Sequence, residues 1–385
     1  MRFFSFKKNN DNTNNLLKTT TERSRPTFHV LKIKDIKRET DESVSIAFEL
    51  PEDLRSNYAF LPGQYLTLRT EIGGQDVRRS YSICSSPLNE DLRVAVKKLD
   101  GGVFSTYANS ELKVGDELQV MTPEGTFTTS IDEKAARSYV AFAAGSGITP
   151  IMSLMKTILE LEPKSTFTLY FGNRTTGSII FRDEIDALKN RFMDRLRVNH
   201  ILSREDQGSD TTRGHIDATK VKLFAERFFE PKKVDAYFIC GPEQMIHTVK
   251  DTLGELGVAK ENIRFELFTT SAETTNKQSN EKAQEVLKPK AENLSQVTVI
   301  LDGEETHFEL AYDGRTITDA ATDAGADVPF SCKGAVCCTC RARVIKGEVE
   351  MDMNYALEPE EVEDGYVLTC QTHPRSSEVV ISFDE

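Results

Sequence analysis

Apolar and polar positions alternate from Phe28 onward, in Phe28–Ile33, Ser43–Phe48, Tyr65–Leu68, Leu92–Val96 and Glu117–Val120. Short β-rich runs separated by turn signals predict an antiparallel barrel of about 100 residues. The texture changes near Ser138. Tyr139–Ala144 is a continuous apolar run, the mark of a fully buried strand, and a helical pattern follows over Ile151–Leu161. Strand and helix patterns then alternate through Thr166–Phe171, Arg182–Arg191, Leu196–Leu202, Ala218–Arg227, Ala236–Cys240 and Glu243–Leu256, with a last strand at Ile263–Phe268. This alternation predicts a parallel sheet with crossover helices. A third module opens with Val297–Leu301, carries a short helix around Thr318–Ala324 and ends in Glu378–Phe383. The polar stretch 1–26 and the aperiodic stretch 270–295 predict a tail and a linker. The expected division is therefore 1–26, 27–134, 135–269, 270–295 and 296–385.

Charge separates these modules further. The net charge of −13 arises wholly from position 296 onward, where 19 acidic residues face 6 basic ones; 42 of each sign precede them. An acidic C-terminal module argues against nucleic acid and suits a partner with a basic docking face, although an acidic surface also serves solubility alone. No apolar run approaches the roughly 18 residues of a membrane span, and Met1–Lys8 leads into polar residues without a signal core. Seven cysteines, five of them between 332 and 370, do not resemble a secreted disulfide framework. The expectation is a soluble, cytoplasmic protein with no membrane insertion.

Four cysteines carry the strongest chemical signal. Cys332, Cys337 and Cys340 stand in a C-x4-C-x2-C pattern completed by the distant Cys370. This is the plant-type spacing for a 2Fe-2S cluster, which needs four thiolates converging from a tight loop and one other segment. Cys338 is surplus to that set. Zinc is the alternative, but it usually takes paired C-x2-C knuckles or mixed Cys/His sets, and only Cys337–Cys340 has that form. The six histidines show no ligand spacing.

Four further motifs occur in order: Arg79-Ser80-Tyr81-Ser82, Gly102-Val103-Phe104-Ser105, Ala144-Gly145-Ser146-Gly147-Ile148-Thr149-Pro150 and Cys240-Gly241-Pro242-Glu243. Together, over residues 27 to 268, they resemble the ferredoxin–NADP reductase superfamily. The resemblance implies a flavin-binding antiparallel barrel, a nicotinamide-binding α/β domain and, with the cysteine loop, a C-terminal α+β ferredoxin domain of β-grasp form. By resemblance, Arg79 contacts a flavin phosphate, Tyr81 packs on the isoalloxazine and Ser82 lies near its redox-active nitrogen. A phosphate suits a guanidinium fork and a flat ring suits an aromatic wall.

Ser105 reads equally as a helix N-cap, and a helix start is itself an anion site. With Gly102 it favours FAD over FMN, and Phe127 is a candidate to face the adenine. Gly145 and Gly147 let backbone approach a dinucleotide pyrophosphate, with Thr149 expected as N-cap and Pro150 as the first helical residue. Cys240, with Gly241 and Pro242, falls at a strand end, beside the nicotinamide by resemblance or simply small and buried. Ser203 and Arg204, assisted by Arg213, resemble the family's site for the 2′-phosphate of NADPH, and Arg174 is a further candidate. Glu266 and Phe268 end the reductase part, close to the flavin in relatives. Arg78, Lys97 and Lys98 read as solvated charge.

Hydride transfer moves two electrons, whereas a cluster takes one; a flavin bridges that mismatch. The expected route is NADPH to FAD to the 2Fe-2S cluster to a separate protein acceptor. The module order resembles reductase components of multicomponent oxygenases. The cysteine loop, with Arg341–Val344 and Gly347–Met351, resembles more narrowly those serving the di-iron phenylacetyl-CoA epoxidases. A ring-hydroxylating dioxygenase or a fatty-acyl desaturase is the alternative acceptor, and a redox-sensing electron carrier is the alternative of another class.

Overall fold

The computed structural model describes residues 26–89, 91–206, 208–268 and 294–385. Apart from Pro26, Leu294 and Ser295, the expected tail and linker lie outside the described residues. Three main sheets are present, and the first two belong to one compact unit.

The first sheet is formed by β1 (Phe28–Thr40), β2 (Ser43–Glu49), β3 (Tyr65–Ile72), β4 (Gln75–Ser82), β5 (Leu92–Lys97) and β6 (Glu117–Met121). They run in the order β4-β3-β6-β1-β2-β5. An Ile83–Val94 bridge just past β4 ties that edge to β5, so the sheet curls into the expected barrel. Inward positions such as Leu31, Ile33, Val44, Ile46, Leu66, Val94 and Val120 fill it, a direct result of the period-two pattern. β4 has no counterpart among the expected strands. Its Gln-Asp-Val-Arg-Arg run hides the alternation because it is an edge strand, where charge is tolerated.

The second sheet is parallel, in the order β11-β10-β7-β8-β9, from β7 (Ser138–Ala144), β8 (Thr166–Asn173), β9 (Leu196–Leu202), β10 (Ala236–Cys240) and β11 (Ile263–Glu266). Helices Ile148–Leu161, Arg182–Arg191, Ala218–Phe228 and Glu243–Glu255 connect or follow the strands. The chain leaves β7 toward β8 on one side and returns to β10 on the other. The carboxyl ends of β7 and β10 are thus the switch point at which open parallel sheets bind ligands. At the opposite end, Glu162 is buried and held by Tyr139 (3.0 Å), Ser165 (2.7 Å) and Arg137 (3.3 Å). A charge in that position needs such a full set of partners.

Two expected caps differ in the structure. The helix after the glycine turn starts at Ile148, three residues before the apolar period becomes visible, with Gly147 at the cap position. Thr149 and Pro150 are therefore its second and third residues, and the Thr149 hydroxyl donates to the Ser146 carbonyl (3.0 Å). The Gly145–Gly147 segment is already a 3-10 turn, so the helix continues a rotation instead of needing a side-chain cap. Likewise Gly102, not Ser105, caps helix Val103–Ser110. Ser105 is buried and its hydroxyl accepts from the Leu99 amide (3.1 Å) and donates to the Gly102 carbonyl (3.3 Å).

The C-terminal sheet runs β13-β12-β18-β14-β16, from β12 (Leu294–Leu301), β13 (Glu304–Ala311), β14 (Arg341–Lys346), β16 (Tyr366–Leu368) and β18 (Glu378–Ser382). β12 and β18, the first and last strands, pair in parallel, and the other pairings are antiparallel. A ladder of β15 (Val349–Met351) with β17 (Thr372–Pro374) lies apart. Helix Ile317–Asp323 packs its Ile317, Ala320 and Ala321 into the core with Val297, Val299, Val379 and Ile381. This is the expected α+β arrangement. Among the described residues no helix is long and apolar enough to cross a membrane.

Candidate functional site

The cysteine loop lies between helix Ile317–Asp323 and β14, and Cys370 arrives on the short turn after β16. Cys337, Cys340 and Cys370 are buried and Cys332 is partly open. The thiols form two pairs: Cys332 is within hydrogen-bonding reach of Cys337, and Cys340 of Cys370. The Cys332 thiol is pushed well up by that bond and by burial. Cys337 is pulled down to about 6, first by the Cys332 bond. Two thiol pairs suit a ligand with two irons, each wanting two thiolates.

The loop backbone fits the same ligand. The Gly334 amide points at Cys332 Sγ (3.3 Å) and the Cys332 amide at Cys337 Sγ (3.4 Å). Lys333, Ala335 and Cys338 are wound to φ of 50°, 59° and 49°. Non-glycine residues in that region cost about 1–3 kcal/mol each, so the loop stores strain to turn its amides onto the sulfurs. Surplus Cys338 donates to the Ala356 carbonyl (3.3 Å), away from the pairs.

At the switch point, Gly147 passes so close to β10 that a Cβ there would lie 2.0 Å from the Cys240 carbonyl oxygen. Gly145 takes φ +54°. These glycines bring the helix start against Cys240, Gly241 and Pro242. In the strand ladder Cys240 is level with Glu266, and Glu266 accepts a hydrogen bond from Ser82 Oγ (3.0 Å). The three candidate catalytic residues therefore converge from the barrel and two strands of the parallel sheet. Cys240 is fully buried, and burial followed by the nearby Glu266 charge drives its thiol pKa well up. It remains a neutral thiol, small enough to leave room for a flat ring.

Glu266 retains some residue surface, yet its carboxyl is closely ringed by protein. Burial pushes its pKa up to about 8, against the lowering effect of the Ser82 bond. The folded state thus holds a proton that the unfolded chain releases near 4.5. Its stabilising contribution is full below that value and is lost as pH rises through about 8. Glu266→Gln, which cannot ionise, is expected to flatten that part of the fall, read from denaturant unfolding of the reductase lobes at several pH values. An unaltered slope would place the proton elsewhere.

Toward the flavin strand, Tyr81 is half-buried and leans on Phe104 (centroids 5.5 Å), while Arg79 is exposed and donates to the Arg78 carbonyl (2.7 Å). Helix Val103–Ser110 has no side-chain cap, so the amides of its first turn could hold a pyrophosphate. Phe127 is buried and packs edge-on against Phe238 (5.7 Å).

On the nicotinamide side, the loop after β9 folds back so that Leu202 pairs with Arg213, gathering Ser203, Arg204 and Arg213 at one strand end. Arg213 also meets Asp206 (3.4 Å), and Glu205 accepts from the Thr176 amide (2.7 Å). Phe268 follows β11 and is half-buried.

Sequence reasoning missed Lys97. This residue is largely covered and lies 3.9 Å from the Glu42 carboxylate; burial lowers its pKa against the raising effect of Glu42, and Arg174 lowers it less. Its Nζ lies 3.9 Å from where a Gly145 Cβ would be, so Lys97 is an anion-binding candidate at the glycine turn and not solvated charge. No local pattern signals a contact between residues 48 positions apart. Arg78 is buried as well.

With this geometry in view, three family models match in sequence order. An oxidoreductase FAD-binding domain covers residues 30–129, an oxidoreductase NAD-binding domain 142–251 and a 2Fe-2S iron-sulfur cluster binding domain 299–375. The chain belongs to the ferredoxin–NADP reductase superfamily, in its branch with a C-terminal plant-type 2Fe-2S domain. It is an oxidoreductase of electron transfer, with FAD and a 2Fe-2S cluster as cofactors. It is 40% identical to one of the subunits of the 1,2-phenylacetyl-CoA epoxidase of Escherichia coli (strain K12), over 93% of this chain and 98% of that one. It is 32% identical to the ferredoxin reductase component of 3-ketosteroid-9-alpha-monooxygenase from Rhodococcus rhodochrous, over 92% and 96%. The solved phthalate dioxygenase reductase shares the fold, with a TM-score of 0.55 at 23% identity, covering 92% of this chain and 98% of that one.

Proposed function

We propose that this protein takes electrons from NADPH and delivers them to the di-iron oxygenase of a phenylacetyl-CoA 1,2-epoxidase. The observation that carries the reading is the likeness to the E. coli epoxidase component along almost the whole of both chains. A bound FAD would supply the conversion between two-electron and one-electron transfer, and a bound 2Fe-2S cluster a one-electron carrier.

The chain's own residues orient these groups. Arg79, Ser80, Tyr81 and Ser82 hold the flavin, with Gly102, Val103 and Ser105 shaping the turn and helix start for its pyrophosphate. Gly145 and Gly147, with Thr149 and Pro150 in the following first turn, admit the dinucleotide. Cys240, Gly241 and Pro242 leave space for the nicotinamide beside Ser82 and Glu266, and Phe268 is a further flavin-side candidate by the family resemblance. Cys332, Cys337, Cys340 and Cys370 ligate the cluster. Ser203, Arg204 and Arg213 receive the 2′-phosphate. Support for NADPH comes from guanidinium groups at the β9 end, while the nearby Glu205 and Asp206 already have partners. The acidic C-terminal module suits a basic acceptor face.

Reconstitution tests the acceptor. The holoprotein is combined with the purified oxygenase components of the E. coli epoxidase, and NADPH consumption is followed with and without phenylacetyl-CoA. The expected result is consumption that depends on the thioester and yields epoxide stoichiometrically. Coupling to the 3-ketosteroid oxygenase instead, with none to the epoxidase, would sink this reading.

A further inference from the structure

Asn173 ends β8 at the carboxyl edge of the parallel sheet. Its neighbours there are the glycine turn, which follows Ala144 opposite Gly172, and Ser203, which follows Leu202 opposite Asn173. Its backbone is pinned, since the Asn173 carbonyl accepts from the Ser203 amide (2.9 Å) and the Arg174 carbonyl from the Arg204 amide (2.8 Å). Its side chain is only 9% exposed, yet Nδ2 has no hydrogen-bond partner among the described residues. Buried amide groups are almost always satisfied, so an orphan at the ligand edge of a sheet calls for an explanation.

We propose that Asn173 donates a hydrogen bond to the bound nicotinamide dinucleotide, to a ribose or phosphate oxygen between the glycine turn and the Ser203–Arg204 pair. A carboxamide has two donor hydrogens, and the dinucleotide presents mainly oxygen acceptors along that path. Turning the amide toward the strand ends breaks no existing Nδ2 bond, so the donor is free to meet a ligand. Lys97 Nζ lies 3.9 Å from where a Gly145 Cβ would be, so a cation stands at the glycine turn, shared with its ion-pair partner Glu42. The sequence pattern did not single out Asn173, whose role depends on three strand ends meeting. The proposal rests on the lobe binding a nicotinamide dinucleotide, but not on a preference for NADPH over NADH.

Asn173→Leu removes both donors at similar shape, and Asn173→Asp keeps the shape but offers only acceptors. Each variant, loaded with flavin and cluster, is titrated with NADP+ and with NAD+ by flavin difference absorbance. Thermal unfolding is recorded with and without nucleotide. Loss of one hydrogen bond should weaken the tighter-binding nucleotide about 5- to 10-fold in the Leu variant, and at least as much in the Asp variant. Without nucleotide the Leu variant should melt at the wild-type temperature or above, since an orphan donor has been removed. An unchanged nucleotide Kd in the Leu variant overturns the assignment. So does a lowered melting temperature with unchanged Kd, which would make the amide a structural group. Wild-type protein that binds neither nucleotide would overturn the electron-transfer reading, and this assignment with it.

Discussion

Cys370→Ser should erase the cluster while leaving the flavin half of the protein at work. Cys370 is buried against Cys340 and comes from a segment 30 residues beyond it in the chain. Its loss takes one of the four thiols proposed to ligate the cluster, the other three of which lie in a single loop. The visible absorption of the 2Fe-2S centre should disappear, and oxygenase-coupled turnover should fall to background. Reduction of ferricyanide driven by a reduced nicotinamide dinucleotide, which needs only the flavin, should persist. Cys338→Ala is the matched control: its sulfur bonds to the Ala356 carbonyl, outside the two pairs. It should keep the cluster spectrum. If Cys370→Ser retained the spectrum, or Cys338→Ala lost it, the ligand set would be wrong.

Gly147→Ala should be the most damaging single methyl group in the nicotinamide lobe. The new Cβ would lie 2.0 Å from the Cys240 carbonyl oxygen, 2.4 Å from its carbon and 2.7 Å from the Gly241 nitrogen. All three are backbone atoms, so no side-chain rotation gives relief, and the end of β10 must move. Overpacking of this kind costs about 1–3 kcal/mol or more, measurable as a lower urea midpoint for the lobe. The shift also displaces Cys240 from Glu266, so nicotinamide-dinucleotide utilisation should fall beyond what the stability loss explains. Gly254→Ala provides contrast. A Cβ there meets nothing within 4 Å, and Gly254 lies in the last turn of helix Glu243–Glu255. It should be neutral or stabilising by about 0.4–1 kcal/mol. Equal behaviour of the two variants would contradict the close approach.

How much of this was legible in the sequence depends on how local the physics is. The gathering of Cys332 with Cys337 and of Cys340 with Cys370 could be read because three of them share one short loop spacing and the fourth is a single later residue. The strands of the parallel sheet could be read because burial on both faces leaves continuous apolar runs. β4 escaped because edge position permits charge where the period should show. Thr149 and Ser105 were assigned capping roles from residue type, but backbone turns begun at Gly145 and Gly102 had already set each helix start. The contact of Phe127 with Phe238 joins residues far apart in the chain and has no local signal. Lys97, Asn173 and the meeting of Ser82 with Glu266 arise from segments brought together by tertiary structure. Residue pattern alone does not encode such encounters.

The pairing of β12 with β18 has a consequence for biosynthesis. β18 is the central strand of its sheet, flanked by β12 and β14, and it is made after every other strand of that sheet. Until Glu378–Ser382 emerges from the ribosome, β12 and β14 have nothing between them, and the cysteine loop that leads into β14 has no completed sheet behind it. A nascent chain therefore carries its thiols on an unfinished scaffold, open to oxidation or to the wrong metal. The sheet that backs the cysteine loop is complete only once its last strand has been made.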